Sequence, residues 1–172
     1  EKRLYYVVHA LRKALEPNLS QGSTSRYLSY KDSILELQNV SVDVKAFEEK
    51  LSEASKTSNE KILEKAIELY RGNLLSDNLY APWLETERER LKQRYVAALN
   101  QLADLYQGDA EATQRTLERL VTAEPSEAHY RKLIEHHLQQ GNVHEANLHC
   151  QRCLEHLKDL ELEPEDETKQ LF

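Results

Sequence analysis

Soft metal ligands are concentrated near the carboxyl end of the chain, where four fall within eight residues: His149, Cys150, Cys153 and His156. Thiolate and imidazole are the ligands that structural zinc prefers. The apolar positions of the same helical pattern nevertheless pass through both cysteines, and free cysteine is among the most buried residue types. Four ligands from one helix cannot easily surround a tetrahedral ion. We therefore interpret the cysteines as core residues and expect no metal site.

A second pattern, His144-Glu145 followed by His149, is similar to the helix of a zinc protease. The spacing differs, because histidines five residues apart lie about 140° apart around a helix. The sequence contains no glycine-rich phosphate loop and no strand-turn-helix nucleophile site. Its acidic residues are interspersed with Lys and Arg, as on a solvated helix surface. We expect neither catalysis nor a bound cofactor.

Basic and aromatic residues near the amino end predict contact with a polyanion. Residues 1–31 carry six Lys and Arg against two Glu, a net charge of +4, so the rest of a chain of net charge −7 carries −11. Residues 1–15 form an amphipathic helical pattern, with apolar residues at Leu4, Val7, Val8, Leu11 and Leu15. The opposite face presents Lys2, Tyr6, His9 and Lys13 within an arc of about 60°. In protein–DNA complexes, Lys and Arg side chains contact phosphates, and the polar rings of Tyr and His can contact base edges.

Two short β-prone runs follow this helix, at residues 26–30 and 34–37, around the polar turn Lys31-Asp32-Ser33. They predict a β-hairpin with Lys31 near its tip. A basic helix followed by a hairpin is how a winged helix-turn-helix domain ends. We expect the earlier helices of such a domain upstream of Glu1. The candidate DNA contacts are Lys2, Tyr6, His9, Arg12, Lys13 and Lys31, although Arg12 lies nearer the apolar face.

The segment from Asn59 to Tyr106 organises the rest of the chain. Its first helix is expected to end at Gly72, and the single tryptophan, Trp83, opens the longest helical pattern. A large aromatic residue at the mouth of a helical hairpin usually belongs to the core. The alternative is that Trp83 or the nearby tyrosines line a ligand pocket.

Turns at Gly72, Gly108 and Gly141 are 36 and 33 residues apart. This spacing is close to the period of about 34 residues in tetratricopeptide repeats. The predicted fold is mostly α: helical-hairpin repeats (an α-solenoid), preceded by one helix and a small β-hairpin. No apolar run approaches the roughly 18 residues of a membrane span, and two cysteines do not make a disulfide framework. We expect a cytoplasmic protein without membrane contact.

Several segments together resemble one family of regulators. They are LRKALEP at residues 11–17, VDVKAFE at 42–48, AIELYRGNLL at 66–75, WLE at 83–85, ERERL at 87–91, and LELEPEDET at 160–168. They are similar to activators of the antibiotic regulatory protein (SARP) type, in which a winged helix precedes a bacterial transcriptional activation domain (BTAD). This chain departs from the family at two places. The usual glycine of the last segment is Glu161 or Leu162, and the Gly-Tyr of the wing is Ser33-Ile34.

The resemblance implies a transcription activator with two domains. Residues 1–40 would be the carboxyl-terminal part of a winged-helix domain, and residues 41–172 the activation domain. The complete winged helix would bind promoter DNA, and the repeats would mediate dimerisation, regulation or contact with RNA polymerase. Two alternatives remain: a repeat module that only binds a protein partner, and a small-molecule sensor.

Overall fold

The computed structural model describes residues 2–20, 22–78, 80–106 and 108–171, without the side chain of Lys2. The chain divides into two compact units, Glu1–Lys45 and Ala46–Phe172. As predicted, it is mostly helical, with one helix and a small hairpin preceding helical repeats. No helix within the described ranges is long and apolar enough to cross a membrane.

The first unit contains helix α1 (Lys2–Leu15) and the antiparallel strands β1 (Leu28–Lys31) and β2 (Ile34–Leu37). Leu28 pairs with Leu37, and Lys31 pairs with Ile34. The two residues between the strands, Asp32 and Ser33, have φ angles of 51° and 65°. Two consecutive left-handed residues are the geometry of the type I′ turn, whose twist matches that of the strands.

In the apolar pattern of α1, Val8 is the one residue that is buried. Val8 and Leu28 are buried, and the ring of Tyr5 contacts that of Tyr30 edge-on at 6.2 Å. A two-stranded hairpin is too narrow to cover a complete helix face. The remaining apolar side chains of the pattern, Leu4, Val7, Leu11 and Leu15, are exposed.

The second unit is built from successive helices. They are α2 (Asp43–Thr57, whose first residues belong to the first unit), α3 (Glu60–Leu69), α4 (Glu85–Leu105), α5 (Ala110–Ala123), α6 (Glu127–Gln139), α7 (Val143–Asp159) and α8 (Asp166–Lys169). The longest connection joins α3 to α4. From α3 to α7, each helix packs against the next. Asn59, Asp109 and Ser126 cap α3, α5 and α6 by accepting backbone N–H groups with their side chains.

The apolar faces of the helices form the core of this unit. Leu63, Ala66 and Ile67 of α3 are buried, as are Leu99 and Leu102 of α4. A further cluster joins α6 to α7 and consists of Tyr130, Ile134, Ala146, Cys150, Cys153 and Leu157. Apolar residues at helical spacing thus form the packing faces of these helices, and they include both cysteines, which were predicted to be core residues.

The expectation for Trp83 was wrong, because its side chain is 74% exposed. A 3-10 turn, Pro82–Leu84, precedes α4 and turns Leu84 into the core in its place. Arg88 holds the preceding loop. Its side chain is 9% exposed, and its guanidinium donates to the carbonyls of Leu74 (2.9 Å), Leu75 (3.0 Å) and Asn78 (3.0 Å).

The expected helix end at Gly72 also needs correction. Helix α3 ends at Leu69, and Tyr70 is already extended, with φ −81° and ψ 95°. The Tyr70 ring lies 5.8 Å from Phe47 and 4.2 Å from Tyr95, so aromatic packing accompanies the end of the helix. Gly72 lies in the loop beyond, with φ 138°.

The last connection is fixed by one arginine. Arg131 of α6 donates to a carboxylate oxygen of Glu165 at 2.6 Å and to the hydroxyl of Thr168 at 2.9 Å. The backbone N–H of Glu165 donates to Glu127 at 2.7 Å. Thr168 is completely buried. The terminal segment that carries the family resemblance therefore packs onto α6.

Candidate functional site

The polar face of α1 is open to solvent. Tyr6 is 76% exposed, His9 and Lys13 are exposed, and Arg12 is half-buried. Arg12 thus lies nearer the packed side of the helix, as its position in the pattern indicated. Lys2 begins α1, but its side chain lies outside the described residues.

Three of the candidate DNA contacts line one cavity of about 380 Å³. His9, Arg12 and Lys13 form its helical side, and Ser20 and Ser23 of the following loop form the other. The Nε of Arg12 is buried and has no partner among the described residues. Cations and hydroxyl groups around a small cavity suit a phosphate group, which accepts hydrogen bonds from both.

The loop is held against α1 by Glu16. Its carboxylate accepts a hydrogen bond from the Ser25 hydroxyl and two from the backbone N–H of Arg26, at 3.1 and 3.2 Å. Ser25 in turn accepts the backbone N–H of Leu28 at 3.0 Å. The Ser25 hydrogen bond, with smaller contributions from the Arg26 and Tyr27 backbone, lowers the pKa of Glu16 below its usual value. The carboxylate therefore ties the cavity loop and the start of the hairpin to the helix end.

Lys31 does not line this cavity. It ends β1 beside the type I′ turn, and its side chain is exposed. The structure therefore places three candidates around one cavity, Tyr6 on the open helix face and Lys31 at the hairpin end.

The cysteines and histidines of α7 lie in different environments. Cys150 and Cys153 are buried in the α6–α7 core, as their apolar pattern predicted. Burial raises the pKa of Cys153 to about 11. His156 lies beside the Tyr130 ring at 6.3 Å. Among the described residues, no three His, Cys, Asp or Glu side chains form a group that could hold a metal ion.

His149 instead belongs to a buried histidine pair that the sequence did not indicate. Its ring stacks on that of His137 of α6, with centroids 5.3 Å apart and planes 9° apart. Neither nitrogen of His137 has a hydrogen-bond partner among the described residues. Burial lowers the pKa of both rings. His136 lowers that of His137 further, and His137 and Arg152 lower that of His149, whereas Glu118 and Glu145 act in the opposite direction.

A larger groove, of about 870 Å³, lies in the helical unit. Its lining comes from the loop after α3, from Lys92 and Tyr95 of α4, and from Arg115 to Ala123 of α5. Tyr70 and Tyr95 stack there with planes 17° apart, and Arg119 donates to the Tyr95 hydroxyl at 3.1 Å. Burial, followed by neighbouring Tyr95 and Glu89, raises the pKa of Tyr70, so this phenol stays neutral at physiological pH.

Sequence reasoning missed this groove. Its cations, Arg71, Lys92, Arg115 and Arg119, are spread over nearly fifty residues and form no local motif. The proposed pocket tryptophan, Trp83, is not among the lining residues, whereas two tyrosines are. Only the packing of three elements brings these side chains together.

The fold and these sites define a helical-repeat protein with a small basic unit ahead of the repeats. The model of one family, the bacterial transcriptional activator domain, matches residues 42–172. The chain belongs to this family, as the sequence resemblance indicated. It therefore carries a transcription-activator type of domain. Searches of curated proteins and of solved structures gave no match.

Proposed function

We propose that the chain is part of a transcription activator in which the first unit binds promoter DNA and the helical unit contacts another protein. In this proposal residues 1–40 end a winged-helix domain and residues 41–172 form the activation domain. Helix α1 enters the major groove, and the β1–β2 hairpin contacts the backbone. The observation that carries the DNA contact is the cavity beside α1, which joins His9, Arg12 and Lys13 to two serine hydroxyls.

The six candidate contacts divide by chemistry. Lys2, Lys13 and Lys31 carry point charges suited to phosphates, and Arg12 completes the cavity beside Lys13. Tyr6 and His9 can reach base edges from the open face of the helix. The net charge of +4 over residues 1–31 favours approach to DNA by this end of the chain.

The phosphate contacts are tested by the salt dependence of binding to duplex DNA. We expect affinity to fall with salt, and the double variant Lys13→Gln, Lys31→Gln to reduce the slope of log affinity against log salt by about 2. The matched control, Lys56→Gln with Lys65→Gln, removes the same charge from the helical unit and should leave the slope unchanged. Equal slopes for both double variants would refute the DNA assignment. The same comparison in the protein encoded by the complete reading frame extends the test to promoter DNA.

We propose that the helical unit contacts RNA polymerase or another protein, or that it forms a dimer with a second copy of itself. The groove between the α3 loop, α4 and α5 supports a binding role for this unit, because it gathers uncompensated charge and aromatic surface. Sedimentation of the purified chain over a range of concentrations tests the homodimer. A mass that stays at one chain throughout would exclude it.

A further inference from the structure

The groove of the helical unit has the opposite charge to the chain around it. Residues 32–172 carry −11, yet the groove is lined by four cations and one carboxylate, Glu118. The Glu118 carboxylate already accepts a hydrogen bond from Gln114 at 2.9 Å. Among the described residues, Arg115 has only a long, exposed pair with Glu111 at 3.6 Å, and Lys92 has no ion pair. The charges of Lys92 and Arg115 are therefore available to a ligand.

The floor of the groove is aromatic. Tyr95 is buried to 8% exposure, stacks on half-buried Tyr70 and lies under the guanidinium of Arg119, 5.9 Å from its ring centroid. This arrangement holds Arg119 in place, since its guanidinium also donates to the Tyr95 hydroxyl. Because Tyr70 and Arg119 cover Tyr95, the aromatic surface left to accept an apolar side chain is the exposed part of the Tyr70 ring.

We infer that this groove binds a short acidic segment of a partner protein, with carboxylates at the cations and one apolar side chain on the exposed part of Tyr70. Small-molecule sites enclose most of their ligand, whereas this groove is open and its cations come from three elements. Charge complementarity then excludes basic partners and favours acidic ones. The inference rests on the proposal that the helical unit contacts a protein, and it specifies the chemistry of that partner.

A fluorescein-labelled peptide of sequence Glu-Asp-Glu-Phe-Asp-Glu serves as the probe, and its anisotropy is measured with the intact chain. The control peptide, Gln-Asn-Gln-Phe-Asn-Gln, keeps the size and the aromatic residue but removes the charge. We expect the acidic peptide to bind at least about tenfold more tightly than the neutral one. Raising the salt from about 0.05 M to about 0.5 M should weaken the acidic peptide selectively.

Two double variants locate the binding. Lys92→Gln with Arg115→Gln removes two groove cations that no core contact requires, and glutamine is a good helix former. Lys65→Gln with Arg152→Gln removes the same charge from exposed positions of α3 and α7 outside the groove. The groove variant should lose about tenfold or more in affinity for the acidic peptide, and the control variant less than about twofold. Circular dichroism checks that both remain folded.

Equal affinity for the two peptides, or equal losses in the two variants, overturns the inference. Displacement of the probe by inorganic phosphate or ATP at concentrations where sodium chloride has no effect would also overturn it, because the groove would then be a small-anion site. The assay contains no DNA. Its failure therefore leaves the salt-slope test of DNA binding standing, and a failed salt-slope test leaves the peptide result standing.

Discussion

A single backbone angle resolves the ambiguity at the end of the family signature. Glu161 has φ 57°, in the left-handed region, so it occupies the position that suits glycine, and Leu162 does not. The N–H of Glu161 donates to Lys158 at 3.0 Å, and that of Leu162 donates to Leu157 at 2.9 Å. This pair of hydrogen bonds is the Schellman motif that ends helices. Gly141 ends α6 in the same way, with φ 74°.

Glu161→Gly should therefore stabilise the chain by about 0.5–1 kcal/mol. The substitution removes the strain of a left-handed non-glycine residue, and this gain exceeds the free-energy cost of the greater backbone entropy that glycine gives the unfolded chain. Gly141→Ala is the matched opposite change. A Cβ there would meet no atom within 4 Å, so its expected cost of about 1 kcal/mol is purely conformational. Urea unfolding measures both. A destabilising Glu161→Gly would contradict this account of the helix end.

Arg88, and not Trp83, holds the loop before α4. Its guanidinium satisfies carbonyls of Leu74, Leu75 and Asn78, and Leu75 itself has a left-handed φ of 49°. Arg88→Met leaves these carbonyls without their donors and should cost about 2–4 kcal/mol of unfolding free energy. Trp83→Ala removes a mostly exposed ring and should change stability by less than about 0.5 kcal/mol. The reverse order in thermal or urea unfolding would show that the tryptophan holds the loop.

At the scale of elements, the interface between α6 and α7 contains a pH-sensitive contact. His137 and His149 are stacked and buried, and burial lowers both pKa values below the ordinary 6.5. The unfolded chain consequently binds more protons than the folded chain below pH 6.5. Stability is retained above that pH and is lost as the pH falls from there through the folded-state pKa values.

The melting temperature should therefore fall between pH 7.5 and pH 5, and His137→Leu should show a smaller fall. The exposed His144 provides the control, because His144→Gln should keep the full pH dependence. Thermal unfolding by circular dichroism at matched ionic strength makes the comparison. An unchanged fall in His137→Leu would assign the acid sensitivity to other groups.

At the scale of the molecule, core packing divides the chain near the start of α2. The buried clusters of the helical repeats lie entirely within Ala46–Phe172, and the family match covers residues 42–172. Charge follows the same division, with a basic amino end and an acidic remainder.

A fragment of residues 41–172 should fold on its own. We expect a helical circular dichroism spectrum and one cooperative urea transition, because a chain of this length buries enough apolar surface for an independent core. A broad transition, or a spectrum without helix, would show that the repeats need the preceding residues to fold.

The features that were predicted correctly follow from local patterns in the sequence. The apolar pattern of α7 correctly identified both cysteines as core residues. The β-hairpin was also predicted correctly, from two β-prone runs around a polar turn. The candidate DNA contacts remain predictions. At α1 the helix forms as predicted but most of its apolar side chains are exposed, because a period shows which residues can be buried and not whether a neighbour covers them.

The sequence by itself determined the helical class and the family, because both depend on local patterns of residues along the chain. Only the tertiary structure decided the exposure of Trp83, the carbonyl contacts of Arg88, the His137–His149 stack and the cationic groove. Each of these depends on side chains from different elements, and no local period or motif in the sequence shows which of those side chains will be in contact. The charge of the groove is the clearest example, since its four cations lie in a chain whose sequence is acidic overall.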